Sequence, residues 1–244
     1  MFGRMQSKKP HREVVPNFYY FGEGPMLDCN IYALRKKNGK ITLFDLGNGL
    51  SFSALSKSFT DLGWKIEDVE DVFITHDHLD HLMGLYKLME NFSENPPIIY
   101  GHPYTIDMIK RGDEKEIVPR LFNVSPSTFD ITIKPLSNVQ KISESESISF
   151  DNFTFDVFFT PGHSQGSICL YEPDKKLLIA GDVVFPNGSF GRYDFPGCSL
   201  SDLKNSIAKL EKLDVNYLCA GHMAPVQNEA NRHLKQSLKN IQMM

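Results

Sequence analysis

The chain has 244 residues, with 41% hydrophobic and 23% charged content, ordinary globular values that suit a single α/β domain. A net charge of −4 argues against a general nucleic-acid surface. No apolar stretch approaches the roughly 20 residues needed to span a bilayer, so no membrane partner is expected.

Residues 1–16 lack the apolar core of a secretory signal and read as a mobile or edge segment. Strands are predicted over 29–35 and 40–45, and a helix over 50–62. The run DVFI (71–74) is apolar and reads as a buried strand. It leads into Thr-His-Asp-His-Leu-Asp-His-Leu-Met-Gly (75–84), which crowds His76, His78, Asp80 and His81 into six residues. Leu82, Leu85, Tyr86 and Met89 then recur at helical spacing. The cluster therefore stands where a strand hands over to a helix, a common ligand position in open α/β sheets. In extended backbone, residues two apart point the same way, so His76 and His78 converge on one point. Asp80 and His81, at the helix start, aim elsewhere. One run offers two nitrogens to one metal, and an oxygen and a nitrogen to a second.

Further on, a strand is predicted near 97–100, with helical segments near 103–111 and 114–122 and turns through 125–140. Tyr104, Arg111 and Arg120 are candidates for a lid over the site. The strand FTFDVFFT (153–160) runs into Pro161-Gly162-His163-Ser164. KLLIAGD (176–182) ends in Gly181-Asp182, and VNYLCAGH (215–222) in Gly221-His222. Each places one imidazole or carboxylate at a strand tip. Between them, 199–213 reads as a helix with Leu203, Ile207 and Leu210 on one face. The stretch after His222, about 22 residues, suffices for one helix.

His76, His78, Asp80, His81, His163, Asp182 and His222 make seven candidate ligands. One tetrahedral zinc takes four at most. Seven fit two metals sharing a bridging carboxylate, and imidazoles with carboxylates suit zinc, with iron or manganese as alternatives. Cys29, Cys169, Cys198 and Cys219 have no Cys-x-x-Cys spacing. They read as core thiols, with no part in the metal site.

This pattern resembles the metallo-β-lactamase fold superfamily, with its His-x-His-x-Asp-His run followed by a lone His, a lone Asp and a final His. The resemblance implies a four-layer αββα sandwich built from two ββα halves, with 1–244 forming one such domain. It implies that His76, His78 and His163 hold a first metal, that Asp80, His81 and His222 hold a second, and that Asp182 bridges them. The early strand ITLFDLGNG carries the family's Asp-x-Gly as Asp45 and Gly47. By resemblance, Asp45 braces the metal-binding loop without binding metal. Gly191-Arg192-Tyr193-Asp194-Phe195-Pro196-Gly197 is similar to a stretch of the glyoxalase II-like thioester hydrolases, making Arg192 and Tyr193 candidate substrate contacts. The long C-terminal glutathione-binding extension of glyoxalase II is not expected here.

The chemistry expected of such a site is hydrolysis of a small thioester, ester or lactone by a metal-bridging hydroxide. Two divalent cations about 3.5–4 Å apart bring the pKa of a shared water near neutral and polarise the substrate oxygen. Asp80 is the candidate catalytic residue: it would hold the nucleophile in line and pass a proton to the leaving group. Ser164 and Cys198 are not needed as nucleophiles. A mononuclear-iron, persulfide dioxygenase-like oxidoreductase is the runner-up, and a phosphodiesterase or nuclease of the same superfamily the third reading. Unpaired cysteines without an export signal point to the cytoplasm. A small-molecule substrate is the expected partner, with homodimer formation left open.

Overall fold

In the computed structural model, which describes residues 8–118 and 124–244, two sheets stack face to face. The first contains β1 (His11–Val15), β2 (Phe18–Phe21), β3 (Ile31–Arg35), β4 (Ile41–Phe44), β5 (Val69–Ile74), β6 (Ile98–Gly101) and β7 (Val139–Lys141), paired in that order. The second contains β8 (Ser147–Phe150), β9 (Phe153–Phe159), β10 (Ile168–Glu172), β11 (Leu177–Gly181), β12 (Tyr217–Ala220) and β13 (Val226–Gln227), again paired sequentially. Hairpins join the antiparallel neighbours. The parallel pairs need helical crossovers. α1 (Phe52–Asp61) links β4 to β5, α2 (Leu79–Leu82) and α3 (Gly84–Met89) link β5 to β6, and α4 (Pro103–Arg111) and α5 (Glu114–Ile117) follow β6. α6 (Leu200–Leu210) links β11 to β12, and α7 (Asn231–Gln242) closes the fold.

The layering follows from side-chain alternation on each strand. On β3, Ile31 and Ala33 join the core beneath α1–α4, whereas Tyr32 and Leu34 face the other sheet. On β5, Val72 and Ile74 take the helical side and Phe73 the sheet side. The second sheet mirrors this: Ile168 and Leu170 of β10 face inward between the sheets, while Cys169 and Tyr171 pack with Leu203, Ile207 and Leu234 of α6 and α7. Strands covered on both faces read as continuous apolar runs, as LLIAG does. Phenylalanines fill the seam between sheets. Phe44 meets Phe155 with ring centroids 5.4 Å apart, and each such buried side chain stabilises the fold by about 1.5–3 kcal/mol. The αββα sandwich expected from the sequence is therefore the one formed.

Some elements differ from their predicted extent. Of the opening segment read as mobile or edge, residues 11–15 form an edge strand against β2. Lys9 is buried, and its Nζ donates to Asp28 Oδ2 (2.7 Å) and to the Gly22 carbonyl (3.0 Å). The helix after the first ligand cluster breaks at Met83, because Gly84 passes against the Asp45-Leu46-Gly47 turn. A Cβ there would meet the Leu46 carbonyl oxygen at 2.0 Å. The helix predicted over 114–122 is seen as Glu114–Ile117, and Arg120 lies outside the described residues. Among the described residues, no helix is long and apolar enough to cross a membrane.

Candidate metal centre

The parallel pairs β4–β5 and β11–β12 decide where the chemistry sits. Each pair brings two strand ends level, and both pairs end at the same edge of the sandwich. Asp45 follows β4, Thr75 and His76 follow β5, Asp182 follows β11, and His222 lies just beyond β12. Backbone bonds knit the two halves at this edge: Ile168 N–H donates to Thr75 O (2.8 Å), and Asn30 N–H to Gly221 O (2.7 Å).

Four sets of donor atoms gather there among the described residues, each within 4.8 Å of one another: His76, His78 and His163; Asp80, His81 and His222; His76, His81 and Asp182; and, behind them, Cys29, Asp45 and His81. Asp182 occupies the middle, with carboxylate oxygens 3.3 Å from His81 Nε2, 3.5 Å from His163 Nε2 and 3.2 Å from His222 Nε2. Asp80 Oδ2 lies 3.4 Å from His222 Nε2 and 4.0 Å from His81 Nε2. All seven ligand candidates read from the sequence are thus brought together.

Hydrogen bonds at the back of four rings fix which nitrogen faces inward. His81 Nδ1–H donates to Asp45 Oδ2 (2.8 Å), His222 Nδ1–H to Glu23 Oε2 (2.8 Å) and His163 Nδ1–H to the Arg192 carbonyl (2.8 Å). Thr75 Oγ1 donates to Asp45 Oδ2 (2.8 Å) and so accepts from His76 Nδ1–H (3.1 Å). With Nδ1 engaged, each ring aims Nε2 at the centre, the arrangement by which outer partners orient metal-binding imidazoles. The buried Nε2 atoms of His76 and His163 and Oδ1 of Asp182 have no hydrogen-bond partner. Buried polar atoms are rarely left so. Gly221 completes the cradle: a Cβ there would sit 2.2 Å from Asp182 Oδ1 and 2.6 Å from His81 Cε1. These residues fit divalent cations.

The titration pattern has the same origin. Burial, with His81, His78 and His163 nearby, pushes His76 well below the ordinary histidine value of 6.5. Burial and His163 lower His78 to about 4. Burial opposes a charge on His222 too, but bonds to Asp182 and Asp80 win and raise it to about 11. His81 is also raised well above 6.5 against the effect of burial, by Cys29, Asp182 and Asp45. Burial lifts the Cys29 thiol to about 11, so near neutral pH the two carboxylates supply that attraction. Asp182 stays well below the usual carboxylate range: burial acts against it, and His81 and His222 outweigh burial. In the metal-free chain, protons therefore take the place of cations.

A cleft of about 690 Å³ opens onto these groups. Its walls include His78, Asp80, His163, Asp182 and His222, together with Leu27, Leu79, Phe185, Phe190, Phe195 and Arg192. Of the two residues read as substrate contacts, Arg192 reaches the cleft and Tyr193 does not. Tyr193 packs in the α6–α7 core, with its hydroxyl 3.7 Å from the Met244 sulfur. Arg192 is held in a forked pair with Asp194 (2.9 and 2.7 Å). The proposed lid does not form from Tyr104 or Arg111, neither of which lines the cleft, and Arg111 pairs with Glu116. Ser164 Oγ donates to Asp77, and Cys198 Sγ to the His163 carbonyl (2.8 Å), which ties up both alternative nucleophiles.

Sequence reasoning missed several residues. Glu23 orients His222 from 199 positions away, and Gly-Glu-Gly in the sequence signals only a turn. Asp77, between the two first histidines, joins the His78 loop to the His163 loop through Ser164. Cys29, set apart from the site on its spacing, in fact brings its sulfur to Asp45 and His81. Replacing Glu23 with alanine is expected to weaken metal binding about 10–100-fold. Competition with a chromophoric chelator measures this, and an unchanged affinity would mean that His222 needs no support from behind.

A family profile of the metallo-beta-lactamase superfamily matches residues 24–222. The chain is 30% identical over 191 residues to a probable metallo-hydrolase of Methanocaldococcus jannaschii, covering 77% of this chain and 83% of that one. It is 29% identical over 157 residues to the hydroxyacylglutathione hydrolase GloC of Haemophilus influenzae, covering 62% and 67% respectively. Among solved structures, a protein in a di-iron-bound form matches with a TM-score of 0.67 and 26% identity, over 91% of this chain and 96% of that one.

Proposed function

Since this chain belongs to the metallo-β-lactamase superfamily and is a metallo-hydrolase, we propose that it uses two divalent cations to cleave a small thioester, ester or lactone. The observation that carries this reading is the placement of Asp182. Its carboxylate lies between the His76, His78, His163 trio and the Asp80, His81, His222 trio, within 3.5 Å of an imidazole from each. Seven nitrogen and oxygen ligands exceed what one ion takes, and the relationship to a hydroxyacylglutathione hydrolase supports thioester chemistry. Cations held there would lower the pKa of a water between them and polarise the acyl carbonyl. The donor set suits zinc, and the di-iron relative keeps iron as the alternative.

The chain's own groups supply the rest. His76, His81, His163 and His222 are locked in the Nε2-inward tautomer, so little reorganisation is needed during turnover. Asp80 lines the cleft, and His222 and His81 keep it ionised despite the opposing effect of burial. In this reading a carboxylate oxygen of Asp80 takes the proton of the attacking water as the carbon–oxygen bond forms. It returns that proton to the departing thiolate or alkoxide as the carbon–sulfur or carbon–oxygen bond breaks, releasing the thiol or alcohol. Asp80→Asn, with metal content matched to wild type, is expected to lower kcat by about 100-fold and to change KM little. An unchanged kcat would remove Asp80 from the proton path.

Elemental analysis of the purified chain, followed by hydrolysis assays on thioesters, lactones and phosphodiesters, tests the whole reading. Two metals per chain with cleavage of an acyl bond support it. One iron per chain with oxygen uptake would replace it with persulfide-type oxidation, and cleavage of phosphodiesters alone would make the chain a nuclease.

A further inference from the structure

Apart from the candidate metal ligands and Arg192, the side chains lining the cleft are apolar. Leu27 contributes a wall from the first half of the fold, and Phe185, Phe190 and Phe195 contribute walls from the segment after Asp182. Histidines aside, Arg192 is the cationic side chain among the described residues lining it. That guanidinium is already paired: Nε and Nη2 fork onto Asp194, and its carbon lies 4.2 Å from the Phe195 ring centre. An incoming carboxylate would have to share that cation with Asp194, whose charge offsets much of the attraction.

The rim carries a second, independent sign. Met26 and Leu27 are consecutive large residues in left-handed backbone (φ 63° and 52°), and they are 66% and 51% exposed. Met223, next to His222, repeats the combination with φ 65° and 46% exposure. Bulky apolar residues seldom adopt this conformation and are seldom presented to water when they do. The segment is not frayed. Asn48 Nδ2 donates to the Met26 and Leu27 carbonyls, and the Met223 N–H donates to Glu23 Oε1 (3.2 Å). Strain held in place by surrounding bonds beside a reactive centre points to a ligand contact.

We propose that this cleft takes an ester or thioester whose substituent is uncharged and apolar, an alkyl or aromatic group seated between Leu27 and the phenylalanines, and that it does not recognise the charged glutathione moiety. The inference rests on the hydrolase reading for the identity of the scissile bond, and on the cleft alone for the identity of the substituent.

The test uses the zinc-loaded full chain and two thioethers that share a hexyl group, uncharged S-hexyl-N-acetylcysteamine and charged S-hexylglutathione, with binding followed by calorimetry. The two are expected to bind with affinities within about threefold of one another, because the charged part meets a guanidinium already neutralised by Asp194. Leu27→Asn is expected to weaken the uncharged probe about tenfold. Asparagine suits left-handed backbone better than leucine, so Tm should hold or rise, which separates lost binding from lost folding. Asp194→Asn frees Arg192 and is expected to tighten the glutathione probe several-fold, by about one charge-assisted bond. Binding of S-hexylglutathione more than about tenfold tighter than the uncharged probe in wild type would overturn the proposal, as would undiminished binding by Leu27→Asn. The corresponding hexanoyl thioesters, assayed in parallel, keep the two readings apart. Probe binding without cleavage would refute the hydrolase and leave the apolar subsite standing, whereas cleavage with probe binding that Leu27→Asn leaves undiminished would do the reverse.

Discussion

Asp182→Asn is expected to lower kcat/KM by about 10²–10³-fold and to reduce bound metal well below two ions per chain. Asp182 is a carboxylate placed within reach of imidazoles from both ligand trios, at 3.5 Å from His163 and 3.2 Å from His222. Asparagine keeps the volume but removes the charge, and one of its two terminal atoms becomes an N–H donor that cannot bind a cation. The carboxylate sits in a pocket where His81 and His222 hold it ionised against burial, so the loss is felt at low dielectric. Metal content by elemental analysis and steady-state kinetics on the same sample decide the matter. Metal occupancy and kcat/KM within threefold of wild type would mean that the two trios work independently of Asp182.

Stripping the metals is expected to abolish hydrolysis and to leave a chain whose thermal stability peaks near pH 6.5. Two opposed sets of histidines produce the peak. His78, lowered to about 4, stays neutral in the folded chain while its unfolded counterpart takes up a proton below 6.5. Between 6.5 and about 4 the unfolded state therefore binds more protons, and stability falls as pH falls. His222, raised to about 11, holds its proton in the folded chain where the unfolded histidine has lost it. That contribution is fully present below 6.5 and is lost as pH rises through about 11. His76 acts in the direction of His78, and His81 in that of His222. Rebinding metal at pH 7 must expel the protons of His81 and His222, so calorimetry in buffers of different ionisation enthalpy should register their release. A metal-free Tm that varies in one direction only from pH 5 to 9 would contradict this charge arrangement.

The sequence by itself picked out the seven candidate ligands that the fold gathers at one edge. His76 and His78 share a direction because extended backbone alternates with period two. His163, Asp182 and His222 announce themselves because each ends an apolar run at a turn. These are local facts, and local geometry is written in adjacent residues. The same locality explains the failures. Arg192 and Tyr193 are neighbours in one pattern, yet one faces the cleft and the other the α6–α7 core, and only the packing of that segment chooses between them. Tyr104 and Arg111 read as a lid because their stretch is long, but the wall is made by Leu27 and by residues after Asp182.

What the tertiary structure decided is everything that depends on two distant strand ends arriving at one edge. Glu23 behind His222, Asp77 on Ser164 and Cys29 against His81 each join segments that no periodicity links. Sidedness is likewise tertiary: strands buried on both faces have no polar side to mark which residues meet helix and which meet sheet. A sequence can specify which atoms will bind a cation, since that is a property of residue type. How each ring is turned, and what flanks the substrate, is fixed by contacts that exist only once the two sheets have closed on each other.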